Sequence, residues 1–359
     1  KGMDLNKVNL VKSSGDVALS YTYDSMLLHI HLDKTYKRDE QYTIYLEYTS
    51  KPNELKVEGS AAITDARGLY FINPEGKDTT EPRELWTQGE TESNSAWFPT
   101  IDKPNVKTTV DITLTVEDGF VSLSNGLMVS SKENGDGTHT DNWKLDQPIS
   151  PYLIMVAAGP FSVVKDHWKN IEVNYYVDKE YEKDARNIFG HTPEMIQHFS
   201  DLLGVPYVWP KYSQVIAHEF VSGSMENATA VVHGAYVQMT TREMIDGSQE
   251  DNISHELFHH WFGDLVTCES WSNITLNESF ADYGEYLWNE YKYGRDEADY
   301  RFQYSMNRYL SQPQNAEVPL VRYNYTERED LFDEVSYNKG GRILHMLRNY
   351  VGDDAFFQS

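Results

Sequence analysis

The sequence predicts an α+β chain of two domains, a β domain over residues 1–165 followed by an α/β domain over residues 166–359. Three observations carry this. Apolar residues alternate with polar ones before residue 165, which is the period of a half-buried strand. Turn dipeptides are concentrated in the same half. After Phe161 the apolar period lengthens toward 3.6 and helical stretches dominate. A chain of 359 residues is long enough to bury two sizeable cores.

In order along the chain, Leu28, Ile30 and Leu32 alternate with polar partners, as do Val110, Ile112, Leu114 and Val116. Asp118-Gly119, Asn125-Gly126 and the run Asn134-Gly135-Asp136-Gly137 read as turns between antiparallel strands. The pattern changes near Val164-Lys165-Asp166. Strands are expected around 171–177, 214–220 and 228–238, and helices near 181–203, 250–262, 277–293 and 339–351. Asn277 is placed to cap the third of these helices. Residues 311–330, with Pro313 and Pro319, read as a long loop leading to Tyr337. Asp353 to Ser359 reads as the opening turn of a further helix, so the second domain is expected to be truncated at its C-terminal end.

Composition narrows the partners. With 56 acidic against 31 basic residues the formal charge is −25. Nucleic acids and anionic membranes both need positive charge, so neither is expected as a partner. The lone Cys268 excludes a disulfide framework and a thiolate metal cluster; it reads as a buried, inert thiol. No run of about 18 apolar residues exists, so no membrane span is expected. No basic-then-apolar signal segment opens the chain, although one removed earlier would leave no trace.

The chemistry is concentrated in His255-Glu256-Leu257-Phe258-His259 and in Glu278. On a helix, positions 255 and 259 are one turn apart, so both imidazoles share a face. Residues 260–277 are enough for a helix to end, reverse and restart, which lets Glu278 approach from another direction. Two imidazoles and one carboxylate suit one Zn²⁺ with an open fourth position for water. Glu256 is then the general base beside that water. Leu257, Phe258, Trp261 and Phe262 make the surroundings apolar, which argues against a merely solvated helix. The metzincin pattern needs Gly and His where this chain has Phe262 and Leu265. His260 projects about 100° from the ligand face and reads either as structural or as support behind the ligands.

Two further features stand outside that core motif. Gly223-Ser224-Met225-Glu226-Asn227 lies in a strand-like context that permits close approach by an extended chain. Tyr337, in Val335-Ser336-Tyr337-Asn338-Lys339-Gly340-Gly341, offers a phenol that stays protonated at neutral pH and donates to a developing oxyanion. In this order the motifs resemble those of the gluzincin aminopeptidases of the aminopeptidase N family, relatives of the leukotriene hydrolase. Trp86-Thr87-Gln88-Gly89-Glu90, the segment Trp97 to Pro104, and the segment Pro151 to Phe161 extend the resemblance from about residue 10 to the chain end.

The resemblance implies a saddle-like N-terminal β domain and a thermolysin-like catalytic domain. It implies one zinc held by His255, His259 and Glu278, with Glu256 as general base and Tyr337 at the transition state. Glu90 and Glu226 would anchor a peptide's free α-ammonium, with Gln88 beside them at the first side-chain pocket. The backbone of Gly223-Ser224-Met225-Glu226-Asn227 would form the peptide-binding edge. Asp282, one turn after Glu278, and Glu285 would support the metal ligands. Ser224 stands where the family usually has Ala. Ser93-Asn94-Ser95 stand where many relatives carry an arginine, so no role of that arginine is carried over. The sequons at Asn227 and Asn277 would put glycans on the site, which points to a bacterial member, soluble and periplasmic or cytoplasmic. Three alternatives remain open at this level: a thermolysin-like endopeptidase, an epoxide-hydrolase relative, and a non-catalytic scaffold.

Overall fold

The computed structural model describes residues 1–358. Met3 to Gly159 form four antiparallel sheets. Met3–Val11 pairs with Thr43–Ser50 and Val17–Ala18, and Ser20–Tyr23 pairs with Leu28–His31. A third sheet runs in the order Leu127–Glu133, Thr138–Ile149, Thr108–Glu117. The fourth runs Leu69–Ile72, Glu84–Thr87, Val156–Gly159, Val121–Ser124, and carries the buried Trp86 and Leu123. Asn134 to Gly137 close a hairpin as expected. Asn125-Gly126 do not, because the strands on either side lie in different sheets. Asn125 is buried; its amide donates to Leu153 O and Ala228 O at 2.8 Å and accepts from Met155 N at 2.8 Å. The dipeptide is a corner between sheets, held by side-chain hydrogen bonds rather than by hairpin geometry.

The second half is built on a five-stranded sheet in the order Ser162–Trp168, Ile171–Val177, Lys211–Ala217, Ala230–Gly234, Ser224–Met225. The inner three strands run parallel and the outer two antiparallel. Parallel strands are covered on both faces, and every residue of Lys211–Ala217 and Ala230–Gly234 is buried. The expected strand at 214–220 therefore sits three residues earlier, and the one at 228–238 ends where Ala235–Val237 turns into a 3₁₀ segment. The expected division after residue 165 falls inside Ser162–Trp168. We propose a division at Pro160-Phe161, where the chain passes from one sheet to the next.

The helices are α1 (Ala185–Phe189), α2 (Thr192–Leu203), α3 (Glu250–Phe258), α4 (Thr275–Tyr293), α5 (Arg295–Leu310), α6 (Gly340–Val351) and α7 (Asp353–Gln358). The single stretch expected at 181–203 is broken between α1 and α2, and α2 opens with Pro193 in its first turn, where the missing N–H is harmless. α5 was not expected. It buries only Ala298 and Phe302, so its sequence carries little apolar periodicity. Residues 311–330 are irregular apart from short 3₁₀ turns. Asn277 does not cap α4, which starts at Thr275; it lies buried in the first turn.

The two halves meet at His218. Its Nε2 lies 2.8 Å from Asp178 Oδ2 and its Nδ1 3.1 Å from Glu81 Oε2. Its backbone N–H donates to Glu84 Oε2 at 3.1 Å, and Trp86 Nε1 donates to its carbonyl at 3.0 Å. The Asp178 hydrogen bond raises His218 from 6.5 to about 9, and burial raises Glu84 from 4.5 to about 7. Both folded values lie above the unfolded ones, so each contribution is full at low pH and is lost as pH rises. Glu84 acts between pH 4.5 and 7, His218 between pH 6.5 and 9. We expect His218→Gln to lose up to about 3 kcal/mol at pH 6 and to flatten the decline in melting temperature between pH 6.5 and 9. An unchanged slope in thermal melts of this variant would place the titration elsewhere.

Candidate active site

His255 lies in the last turn of α3, His259 caps that helix, and Glu278 lies in the first turn of α4. One ligand atom from each falls within 4.8 Å of the others. Glu278 Oε2 is 3.4 Å from His255 Nε2 and 3.5 Å from His259 Nε2. Tetrahedral ligands about 2.1 Å from a zinc ion stand roughly 3.4 Å apart, so the spacing fits. Glu278 Oε2 is buried without a hydrogen-bond partner among the described residues. The outward ring nitrogens are held: His255 Nδ1 by Glu285 Oε1 at 2.7 Å, His259 Nδ1 by Phe262 O at 3.0 Å. Those bonds leave both Nε2 atoms free to face Glu278, the arrangement a metal ligand needs.

The electrostatics also call for cations. Glu90, Glu226, Glu256 and Glu278 are all buried together with the two imidazoles. Burial pushes the Glu90 carboxyl well above its ordinary range, and the Glu226 charge adds to this. Burial raises Glu226 as well, and takes Glu256 up to about 8. Burial also opposes ionisation of Glu278, but His259 and His255 outweigh it and hold that carboxyl at about 2. Carboxyl oxygens of Glu90, Glu226 and Glu278 lie within 4.8 Å of one another, as do ligand atoms of Glu226, Glu256 and His259. A dication at the triad and a second positive group beside Glu90 and Glu226 would each satisfy part of this buried charge.

Tyr337 is carried on a π turn, Val335–Lys339, ahead of α6. Its ring stacks on His255 with centroids 5.9 Å apart and planes 16° apart. Burial pushes its phenol well above the ordinary value, so it is a donor. α4 holds the turn from below: Ser279 Oγ donates to Ser336 O, and Asn338 Nδ2 donates to Asp282 Oδ1 at 3.1 Å. A Cβ on Gly340 or Gly341 would overlap Ser279 Oγ or Asp282 Oδ2, so close approach explains the glycine pair. Asp282 thus holds the tyrosine turn, whereas Glu285 holds a member of the triad.

A cavity of about 600 Å³ opens beside the triad, lined by Gly223, Ser224, His255, Glu256, Tyr337 and residues of α5. Gln88, Glu90, Met225, Glu226 and Asn227 are not part of its lining. Met225 and Asn227 turn their side chains into the core, the Asn227 amide donating to Leu153 O at 3.4 Å. Gln88 is buried with neither end of its amide partnered among the described residues. The strand Ser224–Met225 is the last of its sheet, so its outer edge is open to an added strand. Ser224 Oγ lies 2.7 Å from Nδ1 of the buried His233, which fixes that edge from inside. Asn227 and Asn277 are fully buried, so a glycan on either side chain would be incompatible with this packing. No described helix is long and apolar enough to cross a membrane.

Tyr152 lies in the Pro151–Phe161 segment, next to the site in the fold. Its hydroxyl donates to Glu226 Oε1 at 3.2 Å and accepts from Asn277 Nδ2 at 3.0 Å. Nothing local in the sequence signals those contacts, whose partners lie 74 and 125 positions away.

The profile of the Peptidase M1 N-terminal domain matches residues 4–153, and that of the Peptidase family M1 domain matches residues 188–359. The chain is 27% identical to Aminopeptidase M1 of Arabidopsis thaliana over 99% of its own length and 41% of that protein's. It is 29% identical to Aminopeptidase N of Streptomyces lividans, over 85% of this chain and 36% of the relative. It therefore spans about two fifths of the length of these relatives. The crystal structure of an M1 zinc metallopeptidase from Deinococcus radiodurans superposes with a TM-score of 0.77 at 22% identity, covering 99% of this chain and 74% of that one. With both halves matched in order, and the same two-domain fold in a solved relative, the chain belongs to peptidase family M1.

Proposed function

We propose that this chain is the catalytic part of a zinc aminopeptidase that removes residues from the free N-termini of peptides. One observation carries the reading: a His255–His259–Glu278 triad with zinc-ligand spacing stands directly against the buried carboxyl pair Glu90 and Glu226. The neutral interior of a peptide gives such a pair nothing to bind, whereas a terminal ammonium does. Two relatives are named as aminopeptidases, and a Deinococcus relative has been solved as a mutant with a Tyr-Ser-Ala substrate.

His255, His259 and Glu278 would hold the metal. Bound there, zinc supplies polarisation of the scissile carbonyl and a water of lowered pKa. Glu90 and Glu226 bind the α-ammonium and so set how far the first peptide bond lies from the triad. The open edge at Gly223-Ser224 orients the backbone. Glu256 takes the water proton on its carboxylate and returns it to the leaving amine. The Tyr337 hydroxyl donates to the oxyanion. A thermolysin-like endopeptidase would have no use for the Glu90–Glu226 pair.

Glu226→Ala separates the two. It removes a charge-assisted contact worth about 1.5–3 kcal/mol, or roughly 10–150-fold in kcat/KM, for peptides with a free amino terminus. Zinc content should stay unchanged, because Glu226 is outside the triad. A variant as active as wild type on free peptides would contradict the assignment.

A further inference from the structure

The reading of Glu226 as an ammonium anchor leaves open what fixes its distance from the metal triad. The two features come from different parts of the fold. Glu226 follows the edge strand Ser224–Met225, whereas Glu278 opens α4. A free carboxylate on a three-bond stem has no intrinsic reason to hold the register that exopeptidase chemistry needs.

The connection runs through a buried chain of hydrogen bonds. Asn277, the residue before Glu278, donates from Nδ2 to the Tyr152 hydroxyl at 3.0 Å. That hydroxyl donates onward to Glu226 Oε1 at 3.2 Å, with Gly263 O at 3.5 Å as its only other acceptor among the described residues. The far end of the Asn277 amide is also fixed, its Oδ1 accepting from Cys268 N at 3.3 Å. Asn277 is thereby oriented to donate to the phenol, and the phenol's own proton is directed to Glu226.

Tyr152 itself has no freedom. It is 1% exposed, and its ring packs edge-on against Trp271 with centroids 5.2 Å apart. Its backbone sits in a 3₁₀ turn, Pro151–Leu153, whose ends are clamped by Asn94 Nδ2 donating to Pro151 O and Ile154 O at 2.6 and 2.7 Å. Asn94 closes the same loop that carries Glu90. One tyrosine thus touches the element bearing each half of the acidic pair and the residue next to a triad member.

We propose that Tyr152 is a positioning residue that sets the distance between the ammonium anchor and the metal triad through the chain Glu278–Asn277–Tyr152–Glu226. The inference rests on the aminopeptidase reading of Glu226. The hydroxyl supplies direction to the Glu226 carboxylate. Without it, Glu226 and Asn277 each lose a buried partner and the carboxylate is free to swing off register.

The test is a double-mutant cycle on Tyr152→Phe and Glu226→Gln. It is read by equilibrium binding of the tripeptide Tyr-Ser-Ala and its N-acetylated form to the chain carrying Glu256→Gln, so that no turnover intervenes. Phe keeps the ring and its contact with Trp271. We expect Tyr152→Phe to weaken binding of the free tripeptide about tenfold while leaving the acetylated form and the zinc content unchanged. In the Glu226→Gln background the same substitution should have less than about a twofold effect. If the tenfold loss persists there, or if free and acetylated peptides weaken alike, Tyr152 acts through general packing and the proposal is overturned. Tighter or unchanged binding of the free tripeptide by Tyr152→Phe, with Glu226→Gln still weakening it, would also overturn it. If Glu226→Gln by itself spares the free tripeptide, the anchor reading fails first, which is a distinguishable result.

Discussion

Replacing His259 with Ala should abolish metal retention. The side chain supplies one of three triad ligand atoms, and its Nε2 lies 3.5 Å from the Glu278 oxygen that His255 Nε2 also approaches, at 3.4 Å. Wild type should hold about one zinc per chain after loading and desalting. The variant should hold close to none, because two remaining ligands do not define a tetrahedral site. A graded control is available in Glu285→Gln. Its carboxylate accepts from His255 Nδ1 at 2.7 Å, and outer partners of this kind contribute about 10–100-fold to metal affinity. The order wild type, then Glu285→Gln, then His259→Ala should appear in competition with a chelator. Equal zinc in wild type and His259→Ala, by plasma spectrometry, would remove His259 from the ligand set.

Glu256→Gln should lower kcat by about 10²–10⁴ or more with zinc retained. The amide preserves shape and burial but has no basic oxygen to accept the water proton. The position is buried beside both imidazoles, and its carboxyl oxygen lies within 4.8 Å of Glu226 and His259 ligand atoms. Glu256 also lines the cavity, from the same helix as His255. Substrate affinity should change little, since the anchoring carboxylates are elsewhere. Wild-type turnover by this variant would move the base to another residue.

The parts of the site legible in the sequence are those set by short-range geometry. His255 and His259 share a face because a helix repeats every 3.6 residues, and Glu256 lies next to the first of them for the same reason. Tyr337 and the glycines behind it were legible as a motif, although the π turn that aims the ring was not. It arises from contacts with Ser279 and Asp282 on α4. Long-range partners left no local trace. Tyr152 meets Glu226 and Asn277 only in the fold, so Asn277 read as a helix cap when it is a buried link. Asn125-Gly126 carries the letters of a hairpin turn, yet its amide satisfies Leu153 and Ala228 and makes a corner between sheets. α5 is not legible in the sequence because a helix that buries two side chains has almost no apolar period. The alternating strands were legible where a half-buried face alternates with an exposed one, as in Thr108–Glu117.

The central claim is that the acidic pair beside the triad selects a free amino terminus. The most direct measurement compares zinc-loaded wild type on one peptide with a free amino terminus and on the same peptide N-acetylated, with zinc content assayed in the same sample. The account predicts release of the first residue from the free peptide and a kcat/KM at least about 10–150-fold lower for the acetylated one, since acetylation removes the charge that Glu90 and Glu226 bind. Equal cleavage of the two peptides by a chain holding one zinc would contradict it and leave an endopeptidase in its place.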